Sequence, residues 1–204
     1  GLDSAIVGEN QVQHQVKVAW ERAREEGACG TVINSAFRRA LEVGKRVRTE
    51  TNVGEDISSI SQACVELAQR SLGGFADRKV LVVGAGEVSD GVANSLKDEG
   101  ASEIYFVNRS FDRAEALANM SGGHALPYEE LNEILKEVDV LISATAANSY
   151  ILNQKQVQEV MSSRAGRELL MVDIAVPRDV DPQVAHLDGV TLIDIDTLWS
   201  SHSH

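Results

Sequence analysis

Lys79-Val80-Leu81-Val82-Val83 is an apolar, β-branched run that ends directly on Gly84-Ala85-Gly86-Glu87-Val88-Ser89. An uninterrupted run of this kind fits a strand covered on both faces, because a strand with one wet face alternates apolar and polar residues. The two glycines then punctuate the change from strand to helix. Further apolar runs follow at 104–108, 140–144, 169–174 and 191–195, separated by helical periodicity near 90–99, 112–120, 129–137 and 153–162. Strands that alternate with helices require crossovers, and right-handed crossovers build a doubly wound parallel sheet. The expected class is therefore α/β, a Rossmann-like parallel sheet, preceded by an all-helical segment.

That preceding segment shows a different period. Val12, Val16, Ala19, Trp20 and Ala23 recur at three and four, as do Ile33, Phe37, Ala40, Leu41 and Val47, with Gly27 and Gly30 between the two stripes. A third stripe carries Ile60, Cys64, Leu67 and Ala68. The boundary is expected at Gly73–Asp77, dividing the chain into 1–75, 76–199 and a Ser/His tail at 200–204. The 204 residues carry a net charge of −12, which disfavours a polyphosphate partner unless cations gather locally. Arg38, Arg39, Lys45, Arg46 and Arg48 gather, but at helical spacing they spread over more than one face and fit a solvated helix. No apolar run has the roughly 18–20 residues of a membrane span, so no membrane is expected. The two cysteines, Cys29 and Cys64, suit a reducing compartment. No metal-ligand spacing stands out beyond the weak signal of His202 and His204.

Gly84 and Gly86, placed after a strand and before a helix, sit where the dinucleotide fingerprint has its first two glycines. The first permits the tight turn, and the second lets a diphosphate approach the backbone at a helix N-terminus. Ser89 takes the third position, small enough for close packing and able to donate to phosphate. The second strand ends in Asn108-Arg109-Ser110, near where an NAD-preferring domain places a carboxylate. An arginine beside a hydroxyl instead suits a 2′-phosphate, and NADPH is expected. The plainer alternative is a strand-end Arg109 paired with Asp112 or Glu115. Thr145 and Asp173 also lie at carboxyl ends of expected strands. Asp173 is either a charge in the cofactor crevice or a cap for the turn that contains Pro177. No nucleophile with a neighbouring base emerges, since His14, His124 and His186 are isolated.

Three separated motifs, GLDSAIVGENQVQHQVK at 1–17, GKRVRTET at 44–51 and DIAVPRDVDPQVAHLDGVTLIDIDTL at 173–198, together with GAGEVS and NRS, make the chain resemble glutamyl-tRNA reductases. The resemblance implies NADPH-dependent reduction of glutamyl-tRNA to glutamate-1-semialdehyde, the opening step of tetrapyrrole synthesis. It implies that Ser4, Glu9, Asn10, Gln11 and Gln15 line a glutamyl pocket, and that Gly84, Ala85, Gly86, Glu87, Val88 and Ser89 hold the diphosphate. Asn108, Arg109 and Ser110 would take the adenosine-phosphate end, with Thr145 beside the cofactor. His14 departs from the glycine usual in the family. The family's nucleophile is a cysteine in an earlier segment, and neither Cys29 nor Cys64 matches it. This chain by itself is thus expected to bind NADPH without turnover and to be monomeric. The full-length protein would be a homodimer in the cytoplasm or plastid stroma. Two other readings are a shikimate dehydrogenase-like NADP reductase and a non-catalytic Rossmann scaffold.

Overall fold

The computed structural model describes residues 10–50 and 55–197. It separates into two compact units, divided between Ser59 and Ile60. In the first, α1 (Asn10–Glu25) and α2 (Thr31–Glu50) are tied by a few side chains. The rings of Trp20 and Phe37 stack with centroids 6.4 Å apart. The Trp20 indole N–H donates to Asn34 Oδ1 at 2.9 Å, and Gln13 Nε2 donates to the Leu41 carbonyl at 2.7 Å. Arg38, Arg39, Lys45 and Arg46 are exposed, and Arg46 pairs with Glu50 one turn on. For these four this is the solvated arrangement expected from the spacing, and the Arg48 side chain lies outside the described residues.

The second unit includes α3 (Glu55–Leu72) from Ile60 onward, followed by β1 (Lys79–Val83), α4 (Glu87–Asp98), β2 (Glu103–Val107), α5 (Phe111–Ser121) and β3 (His124–Leu126). A single 3-10 turn then precedes α6 (Leu131–Leu135), β4 (Val140–Ser143), α7 (Gln154–Ser162), β5 (Leu169–Asp173) and β6 (Val190–Asp194). The strands lie in the order β3-β2-β1-β4-β5-β6, and every pairing is parallel. This is the doubly wound α/β class. Val80 to Val83, Val140 to Ile142 and Leu169 to Val172 are buried throughout, which is why these strands read as continuous apolar runs.

Two elements differ from the sequence expectation. The sheet has a sixth strand, β3, which continues the ladder from β2 through Tyr105↔His124 and Val107↔Leu126. At three half-wet residues on an edge it is too short to leave a hydrophobic pattern. The helix expected over 129–137 is instead a 3-10 turn followed by the five residues of α6. α3 approaches α4 closely: a Cβ at Gly91 would stand 2.5 Å from Ser61 Oγ. Ser61 is buried, and its hydroxyl donates to the Val88 carbonyl at 3.1 Å.

Candidate dinucleotide site

Parallel registration fixes where the site lies. Val83 stands opposite both Val107 and Ser143, and Ser143 stands opposite Asp173. The loops that begin at 84, 108, 144 and 174 therefore leave the sheet side by side at its carboxyl edge. The strand order turns back between β1 and β4, and an open parallel sheet binds ligands in the crevice at that point.

Gly84 has φ +112°, and a Cβ there would lie 2.5 Å from the Ala144 carbonyl oxygen. Only glycine fits both the angle and the approach. Gly86 is the N-cap of α4 and no side chain caps that helix, which leaves first-turn amides open to an anion. Glu87 bears a negative side chain, so what it offers a diphosphate is its backbone N–H. Ser89 is fully buried and its hydroxyl has no partner among the described residues. An unspent buried donor beside a glycine turn fits a site that a polar ligand or its water completes.

A cavity of about 280 Å³ opens at this edge, lined by Val83, Asn108, Arg109, Ser110, Arg113, Tyr128, Thr145, Ala146, Ala147 and Ile151. It brings together four of the expected residues: Asn108, Arg109, Ser110 and Thr145. Gly84 to Ser89 are not part of its wall, although they follow Val83 directly. Among the described residues Arg109 forms no ion pair with Asp112 or Glu115 and lines the cavity instead. Arg113, absent from the sequence reading, adds a second guanidinium from the first turn of α5. Its signal was its spacing, one helical turn beyond Arg109. Asn108 Nδ2 donates to the Ser110 carbonyl at 3.1 Å and so shapes its own turn. Two cations, a hydroxyl and an aromatic ring in a concave site suit an adenosine bearing a phosphate.

Thr145 also lines the cavity, but its hydroxyl is committed elsewhere. It donates to Asp179 Oδ1 and accepts the Ala147 amide at 3.1 Å. Asp173 is the turn cap of the two readings left open by the sequence. It is buried, and its carboxylate accepts the amides of Ala175 at 3.1 Å and of Asp179 and Val180 at 2.9 Å. Burial pushes its carboxyl up to about 6, helped by the nearby Asp179 charge and opposed by those amides.

The expected glutamyl-pocket residues fare differently. Ser4 and Glu9 lie outside the described residues. Asn10 and Gln11 open α1, and their side chains are outside the description too. Gln15 is exposed on α1. Cys64 is fully buried in α3, and burial pushes its thiol up to about 12, which makes it an inert core residue. Among the described residues no cluster suited to a metal ion occurs, and no helix is long and apolar enough to cross a membrane.

Comparison with known proteins agrees with this fold. Residues 66–200 match the family model described as Shikimate / quinate 5-dehydrogenase, and residues 1–51 match that of the Glutamyl-tRNAGlu reductase N-terminal domain. A glutamyl-tRNA reductase of Deinococcus radiodurans is 44% identical over 97% of this chain and 57% of its own length. One of Pelotomaculum thermopropionicum is 47% identical over 97% of this chain and 45% of its own. The chain thus spans about half the length of the curated relatives it matches. The solved glutamyl-tRNA reductase from Methanopyrus kandleri superposes with TM-score 0.64 at 42% identity, covering 97% of this chain and 50% of that one. A nucleotide-binding domain from the Thermoplasma volcanium enzyme shares the fold, at TM-score 0.53 and 20% identity over 72% of this chain and 91% of that domain.

Proposed function

The chain belongs to the glutamyl-tRNA reductase family, and on that premise we propose that it serves NADPH-dependent reduction of glutamyl-tRNA to glutamate-1-semialdehyde, at the start of tetrapyrrole synthesis. The observation that carries the cofactor half is the meeting of Arg109, Ser110 and Arg113 in one cavity at the carboxyl edge of the sheet. Two guanidinium groups there select a 2′-phosphate by charge-assisted hydrogen bonds, and the amides of Ala85 to Ser89 take the diphosphate. When bound, NADPH supplies a hydride.

In this reading residues 1–75 contribute to glutamate recognition through Ser4, Glu9, Asn10, Gln11 and Gln15, and residues 76–199 hold the cofactor. The match of residues 1–51 to the reductase N-terminal model favours this over a shikimate dehydrogenase-like enzyme, whose kinship extends over the nucleotide-binding part alone. Neither Cys64, buried with its thiol pushed up to about 12, nor Cys29 is assigned the nucleophile. With no nucleophile assigned among them, these 204 residues bind NADPH without turnover. The full-length protein acts on glutamyl-tRNA as a homodimer in a cytoplasm or plastid stroma.

Titration followed by nicotinamide fluorescence tests the cofactor assignment. Arg109→Ala is expected to weaken NADPH binding by about tenfold or more, the value of a charge-assisted contact, while NADH binding changes little. Equal weakening of both would remove the 2′-phosphate role. A chain that binds neither dinucleotide would favour a scaffold. Turnover of glutamyl-tRNA by the 204 residues alone would assign one of their own groups as nucleophile.

A further inference from the structure

The wall of the cavity that faces the two arginines is not held by its own loop. It hangs on Asp179, a residue from the segment after β5 that is fully buried and is not itself part of the lining. Its carboxylate accepts the Ser143 hydroxyl at 2.6 Å, the Thr145 amide at 2.9 Å and the Thr145 hydroxyl. Its backbone carbonyl accepts the amide of Ile151 at 2.7 Å and that of Leu152 at 3.2 Å. Both ends of the loop between β4 and α7 are thereby fastened to one residue. From Thr145 the tie continues to the Ala147 amide. Thr145, Ala147 and Ile151 are the cavity lining, so every lining residue of this loop except Ala146 is bonded to Asp179 directly or through one hydroxyl.

A fully buried carboxylate is costly, and here hydroxyl and amide donors hold it. An apolar side chain with the same backbone would satisfy a packing role without that cost. What the carboxylate adds is direction: it fixes the Thr145 hydroxyl as donor toward itself and acceptor toward Ala147. We infer that Asp179 is a positioning residue for the dinucleotide, acting through Thr145 to set the wall opposite Arg109 and Arg113. The inference rests on the cofactor reading above. It differs from that reading in predicting an effect common to both dinucleotides, because the wall meets the part of the ligand that NADPH and NADH share.

The test is affinity for NADPH and NADH, measured by fluorescence titration on variants whose circular dichroism matches the parent chain. Asp179→Asn keeps the shape but replaces one acceptor oxygen with a donor. It is expected to weaken both dinucleotides about tenfold with their ratio unchanged, the scale of one buried polar group left unpaired. Thr145→Val should do the same, and Thr145→Ser should restore binding to within about twofold, since only the hydroxyl is required. The double variant Asp179→Asn/Thr145→Val should be no weaker than the worse single one, because both cut the same tie. Should Asp179→Asn fail to fold, the Thr145 pair carries the test alone. Unchanged affinity in folded Asp179→Asn, weakening confined to NADPH, or no rescue by serine would each overturn the inference while leaving the cofactor reading in place. A parent chain that binds neither dinucleotide would overturn both.

Discussion

The two units stabilise their helices by different means. In the sheet unit, β1, β4 and β5 are buried along nearly their whole length and covered by helices. In the helical unit no described residue of 12–50 is fully buried, and Val32, Val43 and Ile33 stand 82%, 54% and 44% exposed. A parallel ladder fixes its own geometry, since each of these three strands is registered on two neighbours before any side chain is chosen. A pair of helices has no such ladder, and the contacts described between these two include a stacked Trp20–Phe37 pair and two side-chain hydrogen bonds. The candidate cofactor site is built inside the unit with the buried sheet, whereas the described part of the motif assigned to glutamate recognition, residues 10–17, lies on α1, where no described residue is fully buried.

The sharpest way to break this contrast is at Gly84. Alanine there meets the Ala144 carbonyl at 2.5 Å and must adopt φ +112°. The expected cost is about 3 kcal/mol or more, from overpacking and backbone strain together. Urea unfolding should show it as a lowered midpoint, with NADPH binding lost. Full retention of stability would mean that the crossing of β1 and β4 is looser than the register implies.

The next effect is one of pH. Asp173 titrates near 6 in the fold against about 3.8 in an unfolded chain, so the folded state binds more protons between those values. Its ionisation therefore opposes folding: the contribution is fully favourable below about 4 and is lost as pH rises through about 6, a swing of about 3 kcal/mol. Asp173→Asn should flatten this part of the profile when thermal midpoints of the two proteins are compared from pH 4 to 8. Parallel profiles would show that the three amides hold the carboxylate at an ordinary value.

The smallest effect belongs to the other unit. Trp20→Ala removes the stack and the bond to Asn34, at an expected cost of about 1–2 kcal/mol to the α1–α2 pair. Ellipticity at 222 nm should report it, and NADPH affinity should stay as it was. A matching loss of NADPH binding would show the units to be energetically joined.

The sequence revealed the parts of this molecule that depend on neighbours in the chain. Continuous apolar runs announced five strands, and the residues after β1 and β2 announced the glycine turn and Arg109. Arg113 was within reach, since a helix starting at Phe111 places it one turn past Arg109. β3 was not, because three edge residues carry no period. Asp179 was the hardest to see. Its partners Ser143 and Thr145 lie 36 and 34 residues earlier, and only the pairing of β4 with β5 brings them together. Propensity and spacing describe local chain, and a bond that waits on sheet assembly leaves no trace in either.

Arg164 shows what the opposite edge of the sheet is for. It is buried to 1% exposure, and its guanidinium donates to the carbonyls of Leu135 at 2.5 Å, Arg167 at 3.2 Å and Glu168 at 2.6 Å. Arg167 adds bonds to the carbonyls of Lys136 and Glu137, so the starts of β4 and β5 are knotted by two arginines. A lysine has neither the planar fork nor the number of donors to replace Arg164. The sheet thus divides maintenance from use: buried and half-covered arginines fasten its strand starts, while the side chains that would set ligand preference, Arg109 and Arg113, line a cavity at the other rim and fasten no strand.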